Sequence, residues 1–468
     1  MNSLSSSAAR IDLKSDRRRM ALAALLDGPI TPTLLRLAGP TILVLVVQTC
    51  VSVAETYFVG RLGTTALAGV SLVFPVLALM TMMSNGGIGG GVASAMARAL
   101  GGGRRQDADA LALHAVVLAI LFGLAFTAVV LGGGGALYHA LGGNGDAVTA
   151  ARRYSSFVFG GAVLIWVVNL LASSLRGAGE VRFPALVTFA GALIVVPLSP
   201  ALIFGFGPFP ALGVAGAGAA VVTYYALATA ALAIYMRSAR SPVRLAWAPL
   251  EWRLFKDILR VGGLSAIGTV QANLTVAVLT AFVGAFGTSA LAGYGMASRL
   301  DYVQIPLLFG LGTAAVTMVG TNIGAGKVER ARRIAWTAAL LAAAVNEAIG
   351  LLAALFPQAW VGIFSADHAV LAVGAQYLRT VGPFYGLVGL GLLLYFASQG
   401  AGSVVWPVLA GSARLIIAAL GGWLAVAFYG ASLSALFGVI AVSAIAFGGL
   451  IALAVLLRPW GGRPAPIK

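Results

Sequence analysis

The stretch FVGRLGTTALAG at residues 58–69 returns as FVGAFGTSALAG at 282–293, with nine of twelve positions identical and an offset of 224 residues. Chance does not produce that match, so the chain is read as an internal duplication. Further along each half, GGGRRQDA at 101–108 answers GAGKVERA at 324–331, one residue out of that register. The second copy sits in VGTNIGAGKVERAR, 319–332, whose glycines and lysine invite a phosphate-binding reading. A P-loop needs Gly, four residues, then Gly-Lys and a Ser or Thr that reaches magnesium. Here Thr321 stands where the first glycine belongs and Val328 where the hydroxyl is required. The stretch is therefore read as a tight turn between two long helices, with Lys327, Arg330, Arg332 and Arg333 expected to face anionic headgroups.

Composition says what kind of duplication this is. Of 468 residues, 60% are hydrophobic and 9% charged, and the mean hydropathy is +0.97. A soluble surface needs far more charge, so the chain is expected to be a polytopic membrane protein. Apolar stretches of spanning length lie at approximately 34–61, 66–97, 107–131, 150–174, 183–204 and 211–236, then at 255–284, 288–318, 331–355, 370–397, 406–429 and 433–457. The fold class expected is all-α, with twelve transmembrane helices in two pseudo-symmetric six-helix lobes. The first and second helices of each set look long and are expected to break near their glycines. An even number of helices per half gives both copies one orientation, as in parallel-repeat transporters.

The net charge of +16 would point to nucleic acid in a soluble chain, but here the placement of the basic residues matters more. With both termini inside, twenty-five of the thirty Lys and Arg fall on the cytoplasmic side, Arg414 among them. Only Arg61, Arg152, Arg153 and Arg379 fall outside, and Arg299 lies within a span. The expected boundaries are a cytoplasmic tail at 1–32, an N-lobe at 33–236, a cytoplasmic linker at 237–254, a C-lobe at 255–457 and a cytoplasmic tail at 458–468. Met20 to Leu26 is an apolar run too short to span. The single cysteine, Cys50, permits no intramolecular disulfide. Trp247, Trp252 and Trp460 read as interface anchors.

At this point specific pieces resemble the MATE family, the multidrug and toxic compound extrusion transporters. They are ETYFVGRLG at 55–63, LRGAG at 175–179, LIFGFGPFPALGVAGAGAA at 202–220, GTNIGAGKVERARR at 320–333 and FASQGAG at 396–402. The resemblance covers about Leu34 to Leu457. It implies a V-shaped pair of six-helix lobes exporting amphipathic, often cationic compounds in exchange for protons or sodium ions.

Of fourteen Asp and Glu, only Glu55, Asp301 and Glu347 look committed to the membrane interior. An intramembrane carboxylate is costly and by default a functional candidate. Glu55 lies six residues before Arg61, about 9 Å below the outer end of the first helix at 1.5 Å per residue. Gln48 and Ser52 share its face. The position is also one where MATE members resemble one another in carrying an acid, usually Asp. Where one branch of the family resembles an Asn and an Asp before the IFG sequence of the fifth helix, this chain has Val195 and Ser199, and the helix-six Thr position appears as Val221. Sodium needs several oxygen ligands whereas a proton needs one acid, so protons are the expected coupling ion, with sodium as the alternative. Asp301 and Glu347 are weaker coupling candidates, read first as interhelical partners. Arg299 and Asp301 are two apart on one helix, so each needs its own partner.

Asn169, Gln271 and Asn273 join Gln48, Ser52 and Arg299 as candidate cavity residues, with helix-to-helix hydrogen bonding as the competing reading of the amides. His114 reads as locally satisfied, and Met80, Met82 and Met83 as packing. No His, Cys or Asp cluster has metal-ligand spacing and no Gly-x-Ser-x-Gly elbow occurs, so no enzyme and no cofactor is expected. The expected partners are a small amphipathic organic substrate and membrane lipids, with no nucleic acid and no nucleotide, and the chain is expected to act as a monomer in a plasma membrane, the inner membrane of a bacterium. A lipid-linked precursor flippase and a non-coupled channel or scaffold stay open beside the antiporter.

Overall fold

The computed structural model describes residues 20, 22–427, 432–457 and 460. Most of the expected tail at 1–32, the tail at 458–468 apart from Trp460, and the end of the expected span 406–429 lie outside the described residues. Within them, every regular element is helical. The first half runs α1 Ile30–Gly60, α2 Thr64–Gly101, α3 Arg105–Ala140, α4a Gly145–Gly160, α4b Ala162–Gly177, α5 Arg182–Phe204 and α6 Val214–Arg237. The second runs α7 Trp252–Gly284, α8 Thr288–Gly324, α9 Val328–Leu355, α10 His368–Gly400, α11 Val405–Ala427 and α12 Leu433–Leu457. Eleven of these are long and apolar enough to cross a membrane, and the pair α4a and α4b, bent by 48°, makes up to twelve. Helix is the form such segments must take, because lipid offers no partner to a backbone N–H or C=O.

The breaks fall elsewhere than expected. In α2 the glycine-bearing MSNGGI, Met83–Ile88, widens into a π-helical turn, but α7 and α8 run unbroken. The sharp interruptions are at Gly161 between α4a and α4b, and at the 3-10 turn Gly382–Phe384 within α10. Both sit in the fourth helix of their half. Past each break the chain enters the middle of its half: thirteen of sixteen residues of Ala162–Gly177 are buried, and eleven of sixteen of Tyr385–Gly400. Small residues allow this. A Cβ on Gly350 of α9 would collide with the Gly382 carbonyl oxygen, and one on Gly177 with the Ala93 carbonyl oxygen, so backbones touch at both places.

The chain forms two compact units. Unit 1 is Pro40–Gly262; unit 2 joins the described residues before Pro40 to those after Gly262. In unit 1, Trp166 stacks on Phe122 at 5.0 Å between ring centres, in a core shared by α2, α3, α4b and α6. In unit 2, Tyr377 meets Tyr294 at 5.3 Å and Phe437 at 5.4 Å, both edge to face. The first helix of each half begins in one unit and ends in the other. The change of unit falls after Gly39 in α1 and after Gly262 in α7, and the 224-residue register pairs Gly39 with Gly263.

The segments leading into those helices are held by the basic turns of the repeat. In unit 1, Arg105 donates to the Pro242 carbonyl at 2.6 Å, Arg253 pairs with Asp107 at 2.7 Å, and Arg98 with Asp257 at 2.6 Å. In unit 2, Lys327 pairs with Asp27 at 2.6 Å, Arg330 donates to the Gly28 carbonyl, and Asn322 donates to the Leu25 carbonyl at 3.1 Å. The expectation that Lys327 and Arg330 face headgroups is thus corrected: both hold the segment before α1. The same contact explains the short apolar run there, whose Leu25 is buried. Trp247 and Trp252 are exposed as interface anchors would be, but Trp460 is buried.

Candidate functional site

Of the three candidate acids within spans, unit 1 holds one. Glu55 lies in the last turns of α1, half-buried, and its Oε1 is buried with no hydrogen-bond partner. Tyr154 of α4a and Tyr225 of α6 lie within electrostatic reach of its charge, and Tyr225 packs against Tyr224 at 4.7 Å. Gln48 and Ser52, on the same helix, are exposed. Val195 and Ser199 of α5 are both buried, and Ser199 Oγ has no partner. Asn169 is used elsewhere: its Nδ2 donates to Ser84 Oγ at 2.7 Å, tying α4b to the π-helical turn of α2. Arg176 supports the same turn by donating to Asn85 Oδ1 at 3.2 Å. Those contacts engage the Asn169 amide in helix-to-helix hydrogen bonding. His114 is likewise satisfied. Its Nδ1 lies 2.8 Å from the Ala110 carbonyl, which makes it the donor, and Nε2 accepts from the Glu251 N–H at 2.9 Å.

Unit 2 groups its charges differently. Asp301 of α8 is exposed, and its charge is felt by Tyr385, Tyr377 and Tyr294 and by Arg414 of α11. The buried Tyr385 hydroxyl approaches the Asp301 carboxylate and the Tyr377 hydroxyl without meeting hydrogen-bond geometry with either. Asp301 and Arg414 form no direct ion pair, although each lies in the other's field. Arg414 rests over the Phe447 ring at 5.3 Å, and its Nε is buried without a partner. Arg299 has the separate partner its spacing requires, the Phe364 ring at 5.4 Å.

The charge count placed Arg414 at a cytoplasmic end, which the structure corrects. It lies nine residues inside α11, about 13 Å along the axis at 1.5 Å per residue. Arg299 is therefore not the sole cation within a span. The remaining candidates in unit 2 make hydrogen bonds within the unit. Glu347 Oε2 accepts from the Gly386 N–H at 2.8 Å, just past the break in α10, where the chain has few intrahelical partners. Gln271 Nε2 donates to Ser412 Oγ at 2.7 Å, linking α7 to α11. Asn273 is exposed and donates to the Thr269 carbonyl at 2.9 Å.

Chemically, Glu55 of unit 1 lies within reach of aromatic hydroxyls, and in unit 2 Asp301 and Arg414 feel each other without pairing. Tyr154, Tyr225, Tyr377 and Tyr385 escaped the sequence reading, and so did the depth of Arg414. Among the described residues no three His, Cys, Asp or Glu gather as a metal site would require.

The MatE family model matches residues 40–201 and 265–424, more than half the chain and once in each half. The chain is 27% identical over 384 residues to an FAD transporter of Shewanella oneidensis, covering 80% of this chain and 82% of that one. It is 26% identical to a probable multidrug resistance protein NorM of Thermotoga maritima, covering 81% and 82%. Among solved structures, a MATE crystal structure in the bent conformation superposes with a TM-score of 0.86 at 24% identity, over 93% of this chain and 97% of that one. With spans, duplication and family match in agreement, the chain belongs to the MatE family: it is a multi-pass membrane transporter and not an enzyme.

Proposed function

We propose that the chain is a secondary antiporter of a bacterial inner membrane, exporting small amphipathic cationic compounds in exchange for protons, with both termini cytoplasmic and segments 33–236 and 255–457 as its two lobes. The observation that carries this reading is the buried, unpartnered Oε1 of Glu55. Leaving a buried polar atom without a partner costs about 1–3 kcal/mol, a cost that a residue kept only for packing has no reason to bear. A carboxyl group that the fold leaves unsatisfied is free to take its partner from outside, first a proton and then a cationic substrate. The aromatic rings of Tyr154 and Tyr225 suit an organic cation. Multidrug names among the relatives support the substrate class.

Protons are preferred to sodium because a proton needs one acid whereas sodium asks for several oxygen ligands, and Val195 and Val221 stand where the resemblance would place oxygen-bearing side chains. Glu347 takes a structural part in this scheme, because its carboxylate already accepts a backbone N–H. The test is export of a fluorescent organic cation from liposomes, first under a proton gradient and then under a sodium gradient at fixed pH. Transport by wild type under the first alone, lost in Glu55→Gln, is the expected result. Full-rate transport by Glu55→Gln, or sodium-driven flux with no proton dependence, would overturn it.

A further inference from the structure

Within unit 1 the linker and the first turn of α7 are tied to α3 at four points. Arg105 donates to the Pro242 carbonyl, the Arg244 N–H donates to Asp109 Oδ1 at 2.7 Å, and Arg253 grips both oxygens of Asp107 at 2.7 and 3.0 Å. The fourth tie is of another kind. His114 Nε2 accepts the Glu251 N–H at 2.9 Å, two turns along the same face of α3 from Asp107. Glu251 is the last residue before α7, and its carbonyl accepts from the Leu254 and Phe255 amides of the first helical turn. The His114 ring is fully buried and packs on Phe255 at 4.5 Å between ring centres.

This tie alone depends on a neutral imidazole. Nδ1 lies 2.8 Å from the Ala110 carbonyl and must carry the hydrogen, which leaves Nε2 as the acceptor. A proton on Nε2 makes both ring nitrogens donors, and the Glu251 N–H then faces a like donor in a buried place. The charged groups around the ring are otherwise engaged. On α3, Asp107 holds Arg253 and Asp109 holds the Arg244 N–H, while the Glu251 carboxylate takes Arg253 Nε at 2.6 Å. Asp257 of α7 and Arg98 of α2 hold each other at 2.6 Å, Arg176 of α4b donates to Asn85 and Ser173, and Lys256 of α7 is exposed. Histidine is the side chain whose charge ordinarily changes between about pH 5 and 8. We infer that His114 is a pH-sensitive latch: neutral, it holds the linker and the start of α7 to α3, and protonated, it releases Glu251, so that acid on the linker's side of the membrane loosens the linker. The register that aligns GGGRRQDA with GAGKVERA puts Thr337 at the matching place in α9, so unit 2 does not repeat the device. The latch goes beyond the antiport reading and works without a gradient.

The test uses the purified full chain in lipid nanodiscs, with Cys50→Ser and a spin label on Leu250→Cys, an exposed linker position. Label mobility is read from the spectrum at about pH 8 and about pH 5.5, on either side of the range in which imidazole changes charge. With His114 in place, the ratio of mobile to immobile label should rise about fivefold on acidification, the factor that accompanies one lost hydrogen bond. His114→Gln keeps an acceptor and a donor but does not titrate, and should hold the label alike at both pH values. His114→Ala should leave it mobile at both. The same label on Ala366→Cys, in an exposed loop of unit 2, should not respond.

A ratio that does not change with pH while His114 is present overturns the inference. So does an equal change in His114→Gln, which would place the response on Asp107, Asp109 or Glu251, or an equal change at Ala366, which would make it global. A linker that tightens in acid also overturns it, because the Glu251 carboxylate would then have left Arg253 to close on the charged ring. A thermal melt at each pH checks that every variant is folded. If His114→Gln is not, Glu251→Pro decides the matter, since it removes the donated N–H just ahead of a helix, where proline is tolerated. Its label should be mobile at both pH values, and a pH response surviving in that variant would overturn the latch.

Discussion

Glu55 of unit 1 and Asp301 of unit 2 are the acids left open to function, and they do not correspond. The 224-residue register pairs Glu55 with Leu279 and Asp301 with Leu77, so each acid stands opposite a leucine in the other half. The turn motifs survive in both copies, as do the interrupted fourth helix and the entry segment held by a basic turn. What has diverged is the chemistry. Glu55 of unit 1 stands among tyrosines, whereas Asp301 of unit 2 also feels the charge of Arg414. A scaffold that must behave alike in both halves can be duplicated, whereas the placement of acids within the spans has diverged between them.

The largest expected effect breaks this comparison at its sharper end. Glu55→Gln keeps size and hydrogen-bonding capacity but cannot exchange a proton. Gradient-driven export should fall by at least about tenfold, as for a group required at the coupling step. Binding measured without a gradient should fall less, because only the charge is lost. Were Asp301→Asn to abolish coupling while Glu55→Gln did not, the roles of the two units would be reversed.

The next effect concerns the two interrupted helices, which look alike but are packed differently. At Gly161 the nearest atoms to an added Cβ belong to the side chain of Val222, which is stiff at χ1 but can shift a little. At Gly350, opposite the break in α10, it meets the backbone oxygen of Gly382, which cannot. Gly350→Ala should therefore destabilise unit 2 by about 1–3 kcal/mol, the usual cost of overpacking. Gly161→Ala should cost under about 1 kcal/mol. Thermal melts of the two purified variants give the comparison, and equal melting temperatures would show that the breaks are equivalent after all.

The amide tethers come third. Asn169→Ala removes the bond to Ser84 in a fully buried place, and Gln271→Ala removes the bond to Ser412 in a half-buried one. Interhelical hydrogen bonds in membranes are worth about 0.6 kcal/mol on average and up to about 1.7. The Asn169 change should lie near the upper figure and the Gln271 change near the average, read by unfolding in mixed micelles. A large loss of transport in Gln271→Ala with an unchanged melt would instead make Gln271 a cavity residue.

These differences bear on what the sequence could disclose. The twelve spans and the duplication were legible because lipid imposes a one-dimensional rule, a long apolar run for each crossing. Glu55 was legible because a carboxylate in such a run has no cheap explanation. Arg414 was misplaced because the charge count assigned it to the near end of its span, and nothing local tells a buried arginine from a flanking one. Tyr154, Tyr225 and Tyr385 were invisible, since tyrosine is apolar enough to pass as lining and its value comes from neighbours distant in the chain. Gly161 is one glycine among 61, and only its packing distinguishes it. The contacts of Lys327 and Arg330 join residues some 300 apart, beyond any local pattern.

The smallest expected effect lies in those entry segments, where the two units again differ in degree. Lys327 and Asp27 are 41% and 68% exposed as side chains, whereas Arg98 and Asp257 are 12% and 39% exposed. Water screens the first pair and competes for both partners, so Lys327→Ala should cost under about 0.5 kcal/mol, within the range for surface pairs. Arg98 also donates to Ser94 from a mostly buried position, and Arg98→Ala should cost about 1 kcal/mol or more, because part of the loss is the unpaired Asp257. Raising the salt concentration in the melt separates the two: the Lys327 difference should vanish and the Arg98 difference persist. The segment before α1 would then be held chiefly by Leu25 burial and the Asn322 and Arg330 contacts to its carbonyls, which salt does not screen. Should Lys327→Ala prove the more damaging change, the hold on the start of α1 would depend on its charge, and the resemblance between the two straps would be one of position only.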